Sequence, residues 1–173
     1  AGGDAAKAPA DRIVVNPDAY GVLSDFGRQV VLTHETTHVA TRARTTAATP
    51  LWLSEGYADW VGYRGTGRTP AEVAPELRRA VREGHLPAAL PDDADFGFDG
   101  DAAGLARAYE GGWMACRLIT DRWGEVRLGE FYQAVGAHRT RAGAVEAAMR
   151  DVLDMTPEKF TEQWRAYLSS QLG

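Results

Sequence analysis

Apolar residues recur every three or four positions along most of this chain, which is the spacing that lines one face of an α-helix. The pattern predicts helices over residues 18–23, 25–44, 50–64, 70–82, 102–123, 125–135, 141–153 and 157–168. Only the β-branched run at 12–16 has the character of a strand. The sequence therefore predicts a mainly α fold. With the one short strand included, its class is α+β with a minimal sheet.

Two of the predicted helices have clear start signals. Ser24 or Asp25 can cap the helix at 25–44, because a short polar side chain accepts a hydrogen bond from the free backbone N–H groups of the first turn. Pro70 stands at the first helical position of the segment at 70–82, where its missing N–H costs nothing.

The length of 173 residues fits one domain with a sizeable core, to which we assign residues 11–173. Residues 1–10 are small and polar and lack the apolar stretch of a signal peptide. We expect them to be a flexible linker or the cut end of a longer protein.

The net charge of −5 argues against a nucleic-acid partner, and no run of Lys or Arg offsets it. No apolar run approaches the roughly 18 residues of a membrane span. The single cysteine, Cys116, lies in an apolar helical pattern, which favours a packed thiol over a nucleophile.

The strongest chemical signal is His34-Glu35-Thr36-Thr37-His38 within the helix at 25–44. Residues four apart lie one turn apart on the same face of a helix, so both imidazoles can bind one metal ion. Glu35 is rotated by about 100° from His34, close enough to meet a water on that ion without being a ligand. Two neutral nitrogens suit Zn²⁺, which acidifies its bound water while a carboxylate accepts the proton. The pattern predicts a site for one zinc ion.

A catalytic zinc site needs a third protein ligand and one open position for water. A third histidine on the extended pattern is excluded, because Thr41 and Arg44 occupy the positions that pattern requires. Glu55 is the better candidate, since burying a carboxylate on an apolar, aromatic-rich helix is costly unless it is paired or bound to a metal. Asp59 lies one turn further and can accept the free ring N–H of a zinc-bound histidine. It is also the next candidate for the third ligand.

With these motifs the chain resembles the gluzincin metallopeptidases, the class that includes thermolysin and the aminopeptidase-N families. His34–His38 matches the first motif of the class. The segment Trp52–Ala58 is similar to the Trp-Leu-Asn-Glu-Gly-Phe-Ala of the aminopeptidases, whose glutamate binds zinc. The segment Ala108–Gly112 is similar to their Tyr-Glu-Lys-Gly, with Gly111 in place of the lysine. The likeness is closest to the compact peptidase-MA-like proteins.

The resemblance implies a role for each matching residue. It makes His34, His38 and Glu55 the zinc ligands, and it makes Asp59 the residue that orients His34. It also implies that Tyr109 stabilises the oxyanion. The implied fold is a zincin-like catalytic domain reduced to the active-site helix, the glutamate helix and a C-terminal helical bundle.

These observations predict a zinc metallopeptidase with Glu35 as general base and a peptide or protein as substrate. The aminopeptidase motif Gly-x-Met-x-Asn is missing from the sequence, which favours cleavage of internal peptide bonds. The alternatives are a non-catalytic zinc-binding module that serves binding or assembly, and an enzyme that uses zinc to hydrolyse a non-peptide substrate. The family likeness and the linker-like start favour an extracytoplasmic location, secreted or tethered to a membrane.

Other residues are weaker candidates for the site. His85 and His138 lie in predicted loops, where they are solvated or reach the cleft to donate to the oxyanion. Arg107 either pairs with an acidic residue or binds a substrate carboxylate. The acidic stretch at 92–101 does not fit a calcium-loop pattern and is interpreted as a solvated loop.

Overall fold

A computed structural model of the chain describes residues 13, 17–97 and 100–173. Over these residues the fold is mainly helical and contains no strand, which confirms the predicted mainly α class. The predicted strand at 12–16 and the predicted linker at 1–10 lie outside the described residues, apart from Ile13. Within the described part of the chain, no helix is both long enough and apolar enough to cross a membrane.

The structure bounds the helices as follows: α1 Pro17–Gly21, α2 Asp25–Thr41, α3 Leu51–Tyr63, α4 Pro70–Val73, α5 Pro75–Arg82, α6 Ala102–Trp123, α7 Glu125–Gly136, α8 Ala144–Ala148 and α9 Pro157–Leu172. Short 3-10 turns cover Arg42–Arg44 and Asp93–Phe96, and a π-helical turn covers Met149–Leu153.

Helix α2 begins as the sequence predicts. The Ser24 hydroxyl accepts a hydrogen bond from the Gly27 backbone N–H at 3.1 Å, which satisfies one of the free donors of the first turn. The α-helix ends at Thr41 and a 3-10 turn continues it to Arg44, so the predicted end at 42–44 is confirmed.

The predicted single helix at 70–82 is wrong, because the segment divides into α4 and α5. Ala74 leaves the helical region of backbone space, with φ −118° and ψ 60°. A residue that precedes proline is pushed away from the helical conformation by a clash with the proline ring. Pro75 therefore ends one helix and starts the next.

The predicted helix at 141–153 is also wrong in detail, because α8 starts only at Ala144. Gly143, with φ 74°, turns the chain before the helix. After Ala148 the chain continues as a π-helical turn, which ends where Asp154 has φ 52°. Positive φ at these two residues marks turns that the apolar period alone does not indicate.

The core surrounds α3 and α6, with α2 on one side of α3 and α7 and α9 packed against α6. Its largest members are fully buried aromatic and aliphatic side chains: Leu53, Met114, Ile119, Leu128, Phe131, Phe160, Trp164 and Leu168. The Cys116 thiol is also completely buried in this core, which confirms the prediction of a packed thiol.

Glycines allow α3 and α6 to pack with their backbones almost in contact. A Cβ on Gly56 would lie 2.3 Å from the Gly112 carbonyl oxygen, and a Cβ on Gly112 would lie 2.5 Å from the Trp52 carbonyl oxygen. No real Cβ tolerates either distance, so any side chain would push the helices apart. This crossing sets the position of α6 relative to Glu55, the neighbour of Gly56.

We expect Gly56→Ala to lower the free energy of unfolding by about 3 kcal/mol, because the extra methyl group meets backbone rather than a movable side chain. Gly129→Ala in α7 is the matched control. Nothing lies within 4 Å of its added Cβ, so it should raise the free energy of unfolding by about 0.5–1 kcal/mol. Urea denaturation followed by circular dichroism measures both. Equal stability of the two variants would contradict the close crossing of the helices.

Candidate metal centre

The candidate centre lies between α2 and α3. His34 and His38 project from one face of α2, and Glu55 projects from the second turn of α3. Gly62 helps the two helices approach, since a Cβ at that position would lie 3.2 Å from the Val30 carbonyl oxygen. The polar side chains of α2 and α3 thus face each other where the two helices meet.

The three predicted ligands form a compact triangle. The His34 and His38 Nε2 atoms are 3.0 Å apart, and the Glu55 Oε2 atom lies 3.2 Å from His34 Nε2 and 3.3 Å from His38 Nε2. Ligand bonds of 2.0–2.1 Å in a tetrahedral zinc site imply ligand separations of about 3.3–3.4 Å. The donor atoms and their spacing therefore fit a zinc ion with one position left open.

Asp59 lies where the sequence predicts a supporting carboxylate. Its Oδ1 atom is 2.7 Å from His34 Nδ1, on the side of the ring opposite the triangle. A hydrogen bond from Nδ1–H to this carboxylate leaves Nε2 as the lone-pair donor that faces Glu55 and His38. The alternative in which Asp59 replaces Glu55 as ligand has no support here, because the group that could hold an ion consists of His34, His38 and Glu55.

The electrostatics of the triangle favour a cation. Burial lowers the pKa of His34, but hydrogen bonds to Asp59 and Glu55 and the charges of these carboxylates outweigh it and raise that pKa to about 10. Burial raises the pKa of Glu55, and the two histidines outweigh this effect and lower that pKa to about 2. The Asp59 and Glu55 carboxylates thus stabilise a positive charge at the triangle of ligand atoms.

Access to the triangle is uneven. The side chains of His34 and Glu55 are 14% and 18% exposed, whereas that of His38 is 30% exposed. The triangle is therefore partly shielded from water and most accessible at His38.

Glu35 and Tyr109 lie near the triangle without belonging to it. Glu35 is half-buried on α2 beside His34. Burial and the charges of Glu55, Asp59 and Glu35 raise the pKa of Tyr109 to about 12, so its hydroxyl stays protonated at neutral pH. The Tyr109 ring packs edge-on against Phe96, with centroids 5.1 Å apart. A neutral phenol thus lies within electrostatic reach of Glu55, Asp59 and Glu35, and the roles of Glu35 and Tyr109 stay predictions.

Gly111, where the chain departs from the aminopeptidase segment, has a packing role. A Cβ there would lie 3.0 Å from Pro91 Cγ. Its carbonyl oxygen accepts a hydrogen bond from the buried Trp164 indole N–H at 3.2 Å. The same Cβ would lie 3.4 Å from Trp164 Cζ2, so a larger side chain at this position would press on both Pro91 and Trp164.

The weaker candidates do not join the centre. The His85 side chain is 77% exposed, and its ring lies 3.8 Å from Glu83. His138 is exposed in the turn after α7. Arg107 lies on α6 near Glu110: burial raises the pKa of that carboxyl group to about 7, and the charge of Arg107 opposes the rise only weakly.

The sequence did not indicate that Asp93 and Arg141 support the helix that carries Glu55. Asp93 accepts the Leu51 backbone N–H at 2.9 Å and thereby caps α3 one turn before Glu55. Arg141 binds both oxygens of Asp93 at 3.1 and 2.8 Å, and its guanidinium lowers the pKa of that carboxyl group. Arg141 also donates to the Thr49 carbonyl oxygen at 3.0 Å. No local signal links these residues, because they are far apart in the chain.

In the described parts of the acidic stretch, 92–97 and 100–101, the aspartates are exposed and accept hydrogen bonds from backbone N–H groups. The Asp92 side chain accepts from two backbone N–H groups of the 3-10 turn, and Asp95 reaches back to the Asp92 N–H at 2.9 Å. Asp101 caps α6 by accepting the Gly104 backbone N–H. Asp92 and Asp101 therefore cap the starts of helical segments.

Comparison of the chain with models of known protein families, with curated proteins and with solved structures finds no match. The resemblance to the gluzincins therefore rests on the sequence motifs alone. The geometry of the His34, His38 and Glu55 triangle is compatible with that resemblance, which stays a prediction.

Proposed function

We propose that this chain is a zinc-dependent metallopeptidase of the gluzincin type that hydrolyses internal peptide bonds. The observation that carries the proposal is the triangle of His34, His38 and Glu55, with donor separations of 3.0–3.3 Å. A structural zinc site is normally closed by four protein ligands, whereas three ligands with an open position are typical of catalytic zinc.

A bound zinc ion would polarise a substrate carbonyl and acidify a water molecule. Glu35 is the residue that accepts the proton of that water, because it is next to a ligand on α2 but outside the triangle. The same carboxyl group then donates the proton to the leaving amine. One side chain thus serves as base and later as acid.

Two further residues complete the proposed chemistry. Tyr109 donates a hydrogen bond to the negative charge that develops on the carbonyl oxygen, a role for which a neutral phenol with a pKa of about 12 is suited. Asp59 holds the His34 ring in one orientation and one tautomer through the 2.7 Å contact to Nδ1.

The second candidate is a zinc-binding module without catalysis. The observation that favours it is the lack of any strand among the described residues, since a strand edge is a common means of aligning an extended peptide. Glu35 argues for the enzyme, because a structural ion has no use for an adjacent carboxylate outside its ligand set.

The test is to strip the purified chain with a chelator, reload it with zinc, and measure both metal content and cleavage. We expect about one zinc per chain and cuts at internal bonds of casein or unstructured peptides, identified by mass spectrometry. Cleavage should stop on chelation and return with zinc. One tightly bound zinc without cleavage of any substrate would favour the module, and no binding of zinc would exclude both.

A further inference from the structure

The two histidines of the candidate centre are held in different ways. His34 contacts the Asp59 carboxylate through Nδ1 at 2.7 Å, which orients its ring. His38 contacts the other two candidate ligands through Nε2, and none of the described residues forms a hydrogen bond with its Nδ1. The His38 side chain is also the more exposed of the two, at 30% against 14%. The position of His38 therefore depends on where the last turns of α2 lie.

A chain of hydrogen bonds joins the end of α2 to α7. The Thr45 hydroxyl donates to the carbonyl oxygen of Thr41, the last residue of α2, at 3.2 Å. The Thr45 hydroxyl oxygen also lies 2.6 Å from that of Tyr132 in α7. Because Thr45 has one proton and donates it to Thr41, Tyr132 is the donor in the second contact. Tyr132 is buried, and a buried hydroxyl needs such a partner.

The same tyrosine contacts the helix that carries Glu55. The Tyr132 ring packs against the ring of Tyr57 in α3, with centroids 4.8 Å apart. Tyr57 lies two residues after Glu55. One side chain of α7 therefore touches both segments that supply the candidate ligands, through its hydroxyl at the end of α2 and through its ring on α3.

A close approach of two backbones also holds α7 against the turn that follows α2. A Cβ on Gly136 would lie 1.8 Å from the Arg44 carbonyl oxygen, so a side chain at this position would push the turn away. The side-chain oxygen of Gln133 accepts a hydrogen bond from the Arg44 guanidinium at 2.7 Å. The turn after α2 is thus attached to α7 by its backbone as well as by side chains.

We propose that Tyr132 positions His38 relative to Glu55, by holding the end of α2 against α7 and α3. The inference rests on the zinc site of the proposed function and does not require cleavage. Without the Tyr132 hydroxyl, the last turn of α2 loses a contact with α7, and His38 has no carboxylate that orients its ring from Nδ1. His34 keeps its contact with Asp59 and should be unaffected.

The experiment compares the wild type with Tyr132→Phe, which removes the hydroxyl and keeps the ring. Tyr167→Phe is the matched control, because the Tyr167 hydroxyl accepts from Arg117 and donates to Asp121 on α6, outside the candidate centre. Competition with a chelator measures the zinc affinity at a temperature where all variants are folded, so that a change in global stability alone does not alter it. Tyr132→Phe should weaken zinc binding by about 2- to 10-fold, the effect of one hydrogen bond. The control should match the wild type.

Gly136→Ala tests the backbone contact at the same turn. Its added methyl group should displace the turn at Arg44 and weaken zinc binding by about 10- to 100-fold, as the loss of a residue that orients a ligand does. Gly129→Ala in α7 is the control, since nothing lies within 4 Å of its added Cβ. If Gly136→Ala does not fold, the comparison of Tyr132→Phe with Tyr167→Phe decides.

NMR of the metal-free chain provides a readout that does not need zinc. In Tyr132→Phe the imidazole resonances of His38 should shift or broaden, whereas those of His34 should stay as in the wild type. If the wild type binds no zinc but this difference between the histidines is present, the proposed function fails and the positioning role of Tyr132 stands. Unchanged His38 resonances overturn the inference. So does a wild type that binds zinc no more tightly than Tyr132→Phe.

Discussion

Glu35→Gln should lower kcat/KM for peptide cleavage by about 10²- to 10⁴-fold, which is the usual contribution of a general base. The amide has nearly the shape of the carboxylate but cannot accept the proton of the attacking water. Since Glu35 lies outside the triangle of ligands, the variant should keep the zinc content and the zinc affinity of the wild type. The measurement is cleavage of a fluorogenic peptide at matched zinc occupancy.

Glu162→Gln is the control for the loss of one negative charge, because Glu162 is exposed on α9, away from the centre. It should retain full activity. Activity of Glu35→Gln within a few-fold of the wild type would remove Glu35 from the mechanism, while a simultaneous loss of zinc would indicate that Glu35 is a ligand instead.

Much of the candidate site follows from local helix geometry. The spacing of His34 and His38 fixes both rings on one face of α2, and the spacing of Glu55 and Asp59 does the same on α3. Once the two helices pack, all four side chains must meet. For this reason the grouping of these four side chains could be predicted from two short motifs, and their binding of zinc stays a prediction.

Contacts between distant segments could not be derived in this way. The backbone contact of Gly56 with Gly112 positions Tyr109, yet nothing near either glycine in the sequence identifies its partner. The resemblance to a known motif indicated Tyr109, whereas Asp93 and Arg141 had no such motif and were missed. What the sequence could not predict is which distant segments contact each other, whereas the chemistry of the single residues could be inferred.

The two errors in the helices have local causes. At 70–82 the regular apolar spacing outweighed the signal of Pro75, although a proline restricts the residue before it. At 141–153 the positive φ of Gly143 starts α8 later than the spacing suggests. In both segments, a residue with special backbone requirements decides where the helix begins or ends, and apolar periodicity does not contain that information.

Glu55→Ala should weaken zinc binding by about 10²- to 10⁴-fold. Structural zinc sites gain about 10–16 kcal/mol from their ligands together, so one of three strong ligands accounts for several kcal/mol. The change also removes the Glu55 carboxylate, whose Oε2 atom lies 3.2 Å from His34 Nε2 and 3.3 Å from His38 Nε2. The two Nε2 atoms, 3.0 Å apart, then have no negative charge beside them from this residue. Competition with a chromophoric chelator measures the dissociation constant.

Comparison with Asp59→Asn separates a ligand from a residue that only orients one. The amide keeps a polar contact to His34 Nδ1 but loses the charge of the carboxylate, so zinc affinity should fall by only about 10- to 100-fold. Glu162→Ala on the exposed face of α9 should leave the affinity unchanged. A larger loss of zinc affinity in Asp59→Asn than in Glu55→Ala would make Asp59 the third ligand. In that case the His34 ring would have to rotate so that Nδ1 no longer contacts Asp59. The order of these two effects therefore decides which carboxylate completes the metal site.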